Sequence, residues 1–514
     1  MTLLRRVPKC AALTFALVIA GCSSETGPGG GTGGSTGGVK PTGGSPSATG
    51  GTATGGNSTG GVISATGGVV SATGGVASST GGSAGTSSGG SVTAGTSGAA
   101  GAAGSGGASS GGSAGASTGG VAGGAGASTG GSAGTSGGGA AGSAGAGTGG
   151  KGNPPGCDVT WGGAAARPQL SDASAACFTI QKYFEKAGTL GALTADNWDP
   201  TAGLAAASTF TATFTVASDG SGTHTTVQAA IDAANAAGGT TRAYILVKPG
   251  MYRELVCVKG TVPITLYGAD TDASKVTIAF DNYNGKAVDT TKTNACAVPS
   301  ATATSYGTSG STTFFASSNG FQAMNLTFAN DFVEGAITSN IQAVALTAQG
   351  DQQVFQNVRV LGNQDTLQVK TPDGTKVSRI YFKNSSIEGD TDFIFGRATA
   401  VFDGCTITYV SGRKTNSTHI SPSTENSNPY GFLIINSKIL GDANMPKGTA
   451  SLGRAWDDSS ATAPNGQALI RNSEIADHIV IAGPWAPAAT SSRAFNADTN
   501  RLYEYKNTGA GAAP

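Results

Sequence analysis

The chain has 514 residues, which is long enough for two or three ordinary domains. It contains 85 Gly, and only 12% of its residues are charged. Lys plus Arg and Asp plus Glu each total 30, so the formal net charge is zero and nucleic acid is not expected as a partner.

The range 1–22 has the pattern of an export signal. A positively charged segment precedes the apolar residues 11–20, which are too few to span a membrane. The ending "VIAGC" resembles a bacterial lipobox, with Cys22 as the lipidated first mature residue, although an ordinary signal peptide that contains Cys is the alternative. We therefore expect an exported lipoprotein, which its lipid holds at the outer membrane or cell surface unless it is released.

Residues 23–153 consist almost entirely of Gly, Ser, Thr and Ala, with repeated "TGG" and "SAG" units. They contain no aromatic residue, so no core could offset the entropy of ordering, and we expect a disordered, flexible linker. Such a linker spans roughly 60–70 Å root-mean-square. Aromatic residues return in 154–205, where "AACFTIQKYFEKAG" has a short helical pattern. This range is predicted to be an N-terminal extension packed on the main domain.

The cysteines indicate a disulfide-bonded protein, because an exported chain meets oxidising conditions. Proximity in the sequence favours the pairs Cys157–Cys177 and Cys257–Cys296. Cys405 would then remain as a free, buried thiol.

The range 206–514 is predicted to be the main domain, with a β pattern and one clear helix. The helix is expected in "TTVQAAIDAANAAGG", with Thr225 or Thr226 as the N-cap and Gly238 in the stop signal. Short strands with a central Asn or Gly follow at a repeating interval, which predicts an all-β fold, a right-handed parallel β-helix capped by the helix. A β-sandwich is the alternative, but tight hairpin signals are missing. The turn or ladder residues are expected to be Asn325, Asn357, Asn384, Asn436 and Asn472.

Three motifs in consecutive coils carry the candidate chemistry. "QAVAL" begins at Gln342, "GNQDTLQ" contains Gln364 and Asp365, and "GDTDFIFG" contains Asp392. The intervals of 23 residues (365 − 342) and 27 residues (392 − 365) each match about one coil. Neighbouring strands lie about 4.8 Å apart, so Gln342, Asp365 and Asp392 are expected to form a column on one outer face. Carboxylates so close titrate apart, which suits a protonated acid beside an ionised nucleophile, with both glutamines as donors to an oxyanion.

The motif "LGRAW" adds a cation and an aromatic ring downstream of this column. Arg454 is expected to hold a carboxylate in a bidentate pair, and Trp456 to offer a flat face to a sugar ring. A calcium site at Asp390 and Asp392 is disfavoured, because calcium needs six or more oxygens and the following Phe-Ile-Phe supplies none. We assign Asp390 to a turn. The histidines, too few and scattered for a zinc site or a triad, are expected to be structural: His224, His419 and His478.

In this order and spacing, the motifs resemble those of the pectin methylesterases, also called pectinesterases. They are "VASDGSGTHTTVQAAIDAA", "GMYRE", "QAVAL", "GNQDTL", "GDTDFIFG" and "LGRAW". The resemblance extends from Thr209 to the C-terminus. With its lipobox, its extension and the insertion "DNYNGKAVDTTKTNAC", the chain is most similar to the lipoprotein branch of bacterial members.

The resemblance implies that Asp392 attacks the C6 methyl-ester carbonyl of a galacturonate unit and that Asp365 serves as acid and then as base. It implies that Gln342 and Gln364 stabilise the oxyanion and that Arg454 holds Asp392. Substrate contacts are implied for Trp456, Phe395, Thr308 and Arg413. The family needs no metal ion and no organic cofactor. The expected partner is methyl-esterified pectin, and we expect a monomer.

Three positions depart from the family pattern. Gln368 stands where Tyr is usual, and Ala455 stands where Pro is usual. Many bacterial members have a Cys at the position of Ser385, paired with the position of Cys405, so the resemblance also leaves Cys405 free. Gln368 and the insertions keep open a related ester or thioester hydrolase on the same column. The linker keeps open a non-catalytic surface solenoid that binds carbohydrate.

Overall fold

The computed structural model describes residues 147–148, 152–458 and 464–514, and all of them belong to one compact unit. The signal peptide, Cys22 and most of the linker lie outside these residues, so the lipid anchor stays a prediction. The strand Gly147–Thr148 lies inside the range assigned to the linker. Within the described ranges, no helix has the length and apolarity needed to cross a membrane.

Three long sheets of short strands build the main domain, with thirteen strands in sheet 1, eight in sheet 2 and seven in sheet 3. In spatial order, sheet 1 contains Phe214–Val216, Ala243–Val247, Ile264–Gly268, Gln322–Met324, Gln353–Gln356, Arg379–Lys383, Thr399–Asp403, Phe432–Ile435, Gln467–Arg471, Arg501–Tyr505, Gln169–Leu170, Thr160–Gly162 and Gly147–Thr148. Sheet 2 contains Gly250–Arg253, Val276–Phe280, Thr327–Asn330, Arg359–Leu361, Ser386–Gly389, Thr406–Tyr409, Lys438–Gly441 and Glu474–Ile475. Sheet 3 contains Val256–Val258, Phe314–Ala316, Leu346–Ala348, Leu367–Val369, Ile394–Gly396, Thr418–Pro422 and Ser451–Gly453.

Seven successive coils of the solenoid each contribute one strand to each sheet in turn. One coil, for example, consists of Arg379–Lys383 in sheet 1, Ser386–Gly389 in sheet 2 and Ile394–Gly396 in sheet 3. All three strands pair in parallel with the strands of the next coil. The predicted parallel β-helix is therefore confirmed, and the β-sandwich alternative is wrong.

Asparagines make the turn from sheet 1 to sheet 2 in several coils. Five of them have positive φ angles between 49° and 58°, a conformation that Asn adopts more readily than most residues. The side chain of Asn357 also donates to Oδ1 of Asn325 at 2.9 Å, one coil away. These asparagines are therefore the turn and ladder residues that the sequence predicts: Asn325, Asn357, Asn384, Asn436 and Asn472.

The helix Val227–Ala237 covers the N-terminal end of the solenoid. The hydroxyl of Thr226 accepts a hydrogen bond from the backbone N–H of Ala229, and Gly238 ends the helix with a φ of 68°. Its buried face, which includes Ile231, joins the central hydrophobic core. The other helices are short: Asp172–Ala175, Ile180–Phe184 and Gly307–Gly310, with 3-10 turns at Ala207–Thr209 and Ala273–Lys275.

The extension 154–205 covers an apolar part of the outer face of sheet 1. Its side chains Phe178, Tyr183 and Phe184 are buried in one cluster with Tyr381 and Leu433 of the sheet. A small antiparallel sheet also links the extension to the main domain, through Lys186–Thr189, Ala192–Ala195 and Lys376–Val377.

The cysteines pair as the sequence predicts. Cys157 is bonded to Cys177, and Cys257 is bonded to Cys296. Among the residues that the structure describes, Cys405 is the free cysteine, and it is buried. Burial raises the pKa of its thiol to about 12, so the thiol stays uncharged and unreactive.

Two histidines form a buried pair inside the solenoid. Nε2 of His478 lies 3.1 Å from Nε2 of His419, and Nδ1 of His419 donates to the carbonyl oxygen of Ser451 at 2.8 Å. The neutral pair therefore needs the Nε2–H of His478 to donate to His419. Burial lowers the pKa of His419 to about 3 and the pKa of His478 to about 4, so both rings are neutral and structural.

We expect acid to destabilise the protein through this pair. Below pH 6.5 the unfolded chain protonates both rings, whereas the folded protein keeps them neutral until about pH 4 to 3. The free energy of unfolding should therefore fall by about 1.4 kcal/mol per pH unit for each ring. Urea unfolding measured from neutral pH down to mildly acidic pH should show a smaller slope for the double variant His419→Gln/His478→Gln. The control variant His224→Gln, which leaves the pair intact, should keep the wild-type slope, and an unchanged slope in the double variant would contradict the assignment.

Candidate active site

Two equivalent turns from sheet 2 to sheet 3 carry the candidate acidic residues. Leu367 pairs with Ile394, and Gln364 forms a parallel bridge with Thr391, so Asp365 and Asp392 occupy the same position in adjacent coils. Both aspartates also have positive φ angles, 62° and 44°, which are uncommon outside glycine and cluster at functional sites. The interval between Asp365 and Asp392 therefore corresponds to one coil, as the sequence predicts.

Asp392 is 1% exposed and is held by two partners. Nε of Arg454 donates to its Oδ1 at 3.0 Å, and Nη2 donates to its Oδ2. The hydroxyl of Thr418 donates to the same Oδ1. A bidentate guanidinium fixes both the charge and the orientation of a carboxylate. Thr418 was not predicted from the sequence, and the signal for it is the pairing of Ile394 with Ile420, which places position 418 beside Asp392.

The surroundings of Asp365, unlike the arginine pair of Asp392, disfavour a negative charge. Asp365 is 3% exposed, and burial followed by the nearby charge of Asp392 raises its pKa well above the ordinary value, against the opposing charge of Arg454. Its Oδ1 is buried and has no hydrogen-bond partner in the described part of the protein. The site therefore combines a carboxyl group whose pKa is raised, which favours its protonated form, with a carboxylate paired to an arginine, and this contrast suits an acid beside a nucleophile.

The two glutamines lie near Asp365, although Gln342 does not share its register position as the predicted column requires. Gln364 precedes Asp365 directly, and its side chain lowers the pKa of Asp365 against the larger effect of burial. Because the backbone N–H of Ala343 donates to the carbonyl oxygen of Gln364, Ala343 lies opposite Asp365 and Gln342 lies opposite Gln364. Gln342 is therefore one position away from the predicted column. Gln342 is nevertheless buried, and its neighbour Ala343 donates from its backbone N–H to the carbonyl oxygen of Gln364 at 3.1 Å, which keeps Gln342 beside the turn.

The predicted aromatic residues, Phe395 and Trp456, contact each other near Asp392. The rings of Phe395 and Trp456 have centroids 5.8 Å apart. Trp456 is partly exposed and can offer a ring face, whereas Phe395 is buried. Phe395 therefore supports the ring of Trp456 and offers little surface of its own to a sugar.

Thr308 lies in the short helix Gly307–Gly310. Its hydroxyl accepts a hydrogen bond from Nδ2 of Asn284 at 3.1 Å. The backbone N–H of Asn284 donates to the carbonyl oxygen of Gln342 at 2.8 Å, so the insertion that carries Asn284 connects Thr308 to the glutamine. Thr308 is partly exposed and remains available for a substrate contact.

The ion pair between Arg413 and Asp390 corrects the prediction that Asp390 is a simple turn residue. Asp390 is fully buried, and Arg413 donates to both of its carboxylate oxygens. The sequence missed this pair because the two residues lie on different coils. Over the described part of the chain, no group of three or more His, Cys, Asp and Glu residues is arranged to hold a metal ion.

A model of the pectinesterase family matches residues 213–514. The chain is 49% identical over 365 residues to a pectinesterase of Ralstonia nicotianae, across 68% of this chain and 92% of that protein. It is 33% identical over 403 residues to YbhC of Escherichia coli, which has a provisional name as an acyl-CoA thioester hydrolase, across 69% of this chain and 91% of YbhC.

Solved structures agree with these matches. The crystal structure of E. coli YbhC superposes with a TM-score of 0.61 at 32% identity, across 68% of this chain and 96% of that chain. A pectin methylesterase of the rice weevil gives a TM-score of 0.57 at 32% identity, across 68% of this chain and 98% of that chain. With a family model over most of the main domain and a relative of 49% identity, the chain belongs to the pectinesterase family of carboxylic ester hydrolases.

Proposed function

We propose that the protein hydrolyses the C6 methyl esters of homogalacturonan to pectate and methanol, with Asp392 as nucleophile and Asp365 as acid and base. The observation that carries this proposal is the contrast between two buried carboxyl groups in adjacent coils. Asp392 is paired with Arg454, while burial raises the pKa of Asp365. Membership of the pectinesterase family supports pectin as the substrate class.

In the first half of the reaction, the carboxylate of Asp392 attacks the ester carbonyl carbon. The amide N–H groups of Gln342 and Gln364 donate to the oxygen that becomes negatively charged. The tetrahedral intermediate collapses when the bond to the methoxy oxygen breaks, and Asp365 gives that oxygen its proton, so methanol leaves. The galacturonyl group is then joined to Asp392 as an anhydride.

In the second half, Asp365 is ionised and acts as a base. It takes a proton from a water molecule, whose oxygen attacks the galacturonyl carbon. The second tetrahedral intermediate collapses when the bond to the Asp392 oxygen breaks, which restores the carboxylate and releases the galacturonic acid. Asp365 keeps the proton, so both carboxyl groups return to their initial states and only water is consumed.

A related activity on other esters or thioesters is the second candidate. YbhC, which resembles this chain over most of its own length, has a name that refers to acyl-CoA thioesters. Gln368, where the family usually has Tyr, is buried on sheet 3 and pairs in register with Phe395. A changed residue next to Phe395 favours a different subsite, although it leaves the acid, the nucleophile and the arginine in place.

Methanol release decides between these candidates. We expect the purified protein to release methanol from highly methylated pectin, measured in a pH-stat, and to leave acyl-CoA thioesters intact. Free thiol appearing from an acyl-CoA substrate, with no methanol from pectin, would favour the second candidate. Binding of pectin without either product would instead support the non-catalytic solenoid.

A further inference from the structure

A buried ion pair lies two residues before the nucleophile. Asp390 is 0% exposed, and Nε of Arg413 donates to its Oδ2 at 2.7 Å while Nη2 donates to its Oδ1. Nη2 also donates to the hydroxyl of Thr391 at 3.1 Å. A buried carboxylate is costly unless it is paired, so this contact persists whether or not substrate is bound. The charge of Arg413 is therefore already neutralised when a sugar chain enters the site.

A second carboxylate adds to this neutralisation. Glu334 lies 3.8 Å from Nε of Arg413, and both of its oxygens accept from Nδ2 of Asn363, at 2.8 and 3.0 Å. Asn363 lies in the same turn as Asp365, the proposed acid, and only Gln364 separates the two residues. Two carboxylates thus lie close to one guanidinium. Lys414 also lies near this pair, since burial and the charge of Arg413 lower its pKa while the charge of Asp390 raises it. Its positive charge balances the second carboxylate, so these four side chains together carry no net charge.

The loop that carries Glu334 also exposes apolar side chains. Val333 is 79% exposed and Ile337 is 39% exposed. They are two of the five large apolar side chains that are exposed over residues 152–458 and 464–514. An apolar loop surface and a neutralised arginine both suit an uncharged sugar unit, since an ionised carboxylate would meet Asp390 and Glu334 while Arg413 is already paired.

We propose that Asp390 determines substrate specificity: by neutralising Arg413, it makes the adjoining subsite prefer a methyl-esterified galacturonate unit over an ionised one. The inference rests on the proposed function and names the form of pectin that the site takes. Arg413 then contacts the sugar as one partner of an ion pair that has no net charge. The subsite discriminates against an ionised galacturonate unit because Asp390 and Glu334 repel its carboxylate.

The test compares densely methylated with sparsely methylated pectin. For Asp390→Asn, which keeps the shape but frees the charge of Arg413, the ratio of kcat/KM on the dense substrate to kcat/KM on the sparse one should fall about fivefold. Rates are expressed per methyl ester, so the different ester content does not enter the ratio. The change should shrink in high salt, because screening weakens the attraction of the freed guanidinium for ionised units.

Two further variants separate specificity from folding. Asp390→Asn/Arg413→Gln restores a neutral pair and should return the ratio to the wild-type value even if the overall rate is lower. The control variant Asp442→Asn makes the same change at a carboxylate that accepts hydrogen bonds from Ser411, which lies in the loop that carries Arg413. It should leave the rates on both pectins unchanged. An unchanged ratio in Asp390→Asn, with equal loss on both pectins, would overturn the proposal and leave only a structural pair. A wild-type protein that releases no methanol from either pectin would instead refute the proposed function.

Discussion

Replacing Asp392 with Asn is expected to lower kcat for methanol release by about 10⁴-fold or more, because an amide cannot supply the negative charge that attacks the ester. The amide keeps the size of the side chain, so Thr418 and the rest of the turn can stay in place. The rates would be measured in a pH-stat on highly methylated pectin, and thermal melting would confirm that the variant is folded.

The matched control is Asp403→Asn, which makes the same substitution elsewhere on the solenoid. Asp403 accepts hydrogen bonds from the hydroxyl of Tyr381 and from Nδ2 of Asn436, away from the turns that carry Asp365 and Asp392. Its kcat should stay within about twofold of the wild-type value, as is usual for substitutions outside a site. If Asp392→Asn kept more than about a tenth of the wild-type rate, Asp392 could not be the nucleophile.

Replacing Phe184 with Ala is expected to lower the free energy of unfolding by about 3–5 kcal/mol, because it leaves a cavity between the extension and sheet 1. The ring of Phe184 is buried, with centroids 4.8 Å from Trp198 and 5.9 Å from Tyr381. Urea unfolding followed by tryptophan fluorescence would measure the change. The activity of the fraction that remains folded should be unaffected, since this cluster does not include the turns that carry Asp365 and Asp392.

The control variant is Phe210→Ala, which removes a ring from the outer face of sheet 1 at a place that the extension does not cover. The ring of Phe210 packs on Tyr244 and Tyr267 but is partly exposed, so its removal should cost only about 1 kcal/mol. Similar small costs for both variants would mean that the extension is held loosely and does not share the stability of the solenoid.

The same extension is fixed by charge as well as by apolar contacts. Arg379, fully buried in sheet 1, donates to both oxygens of Asp196 in the extension, each at 2.7 Å, and to Asp351 in the main domain. The sequence shows aromatic residues in the extension, from which packing on the main domain is expected. It does not show which face they cover, because that depends on outward-pointing residues of strands far apart in the chain.

The acidic pair illustrates what periodicity can predict. Asp365 and Asp392 are one coil apart, and the strands that follow them pair without a shift, so the sequence interval places them correctly. Gln342 illustrates the opposite case. The interval to Asp365 also resembles one coil, but the strands of these two coils pair at a shorter interval, Leu346 with Leu367, and the turn that holds Gln342 is therefore off register with Asp365. Interval counting fails there because turns of different length can precede paired strands.

The sequence by itself determined the class of fold, the order of the motifs and the residues that we propose as acid, nucleophile and arginine, because a repeating backbone gives a repeating pattern and the turns with Asp365 and Asp392 carry distinctive residues. Tertiary structure alone decided that Thr418 holds Asp392 and that Arg413 is neutralised by Asp390. Those contacts join different coils, and the loops between coils vary in length. Which side chains meet across neighbouring coils therefore depends on the folded path of each loop, which no local pattern encodes.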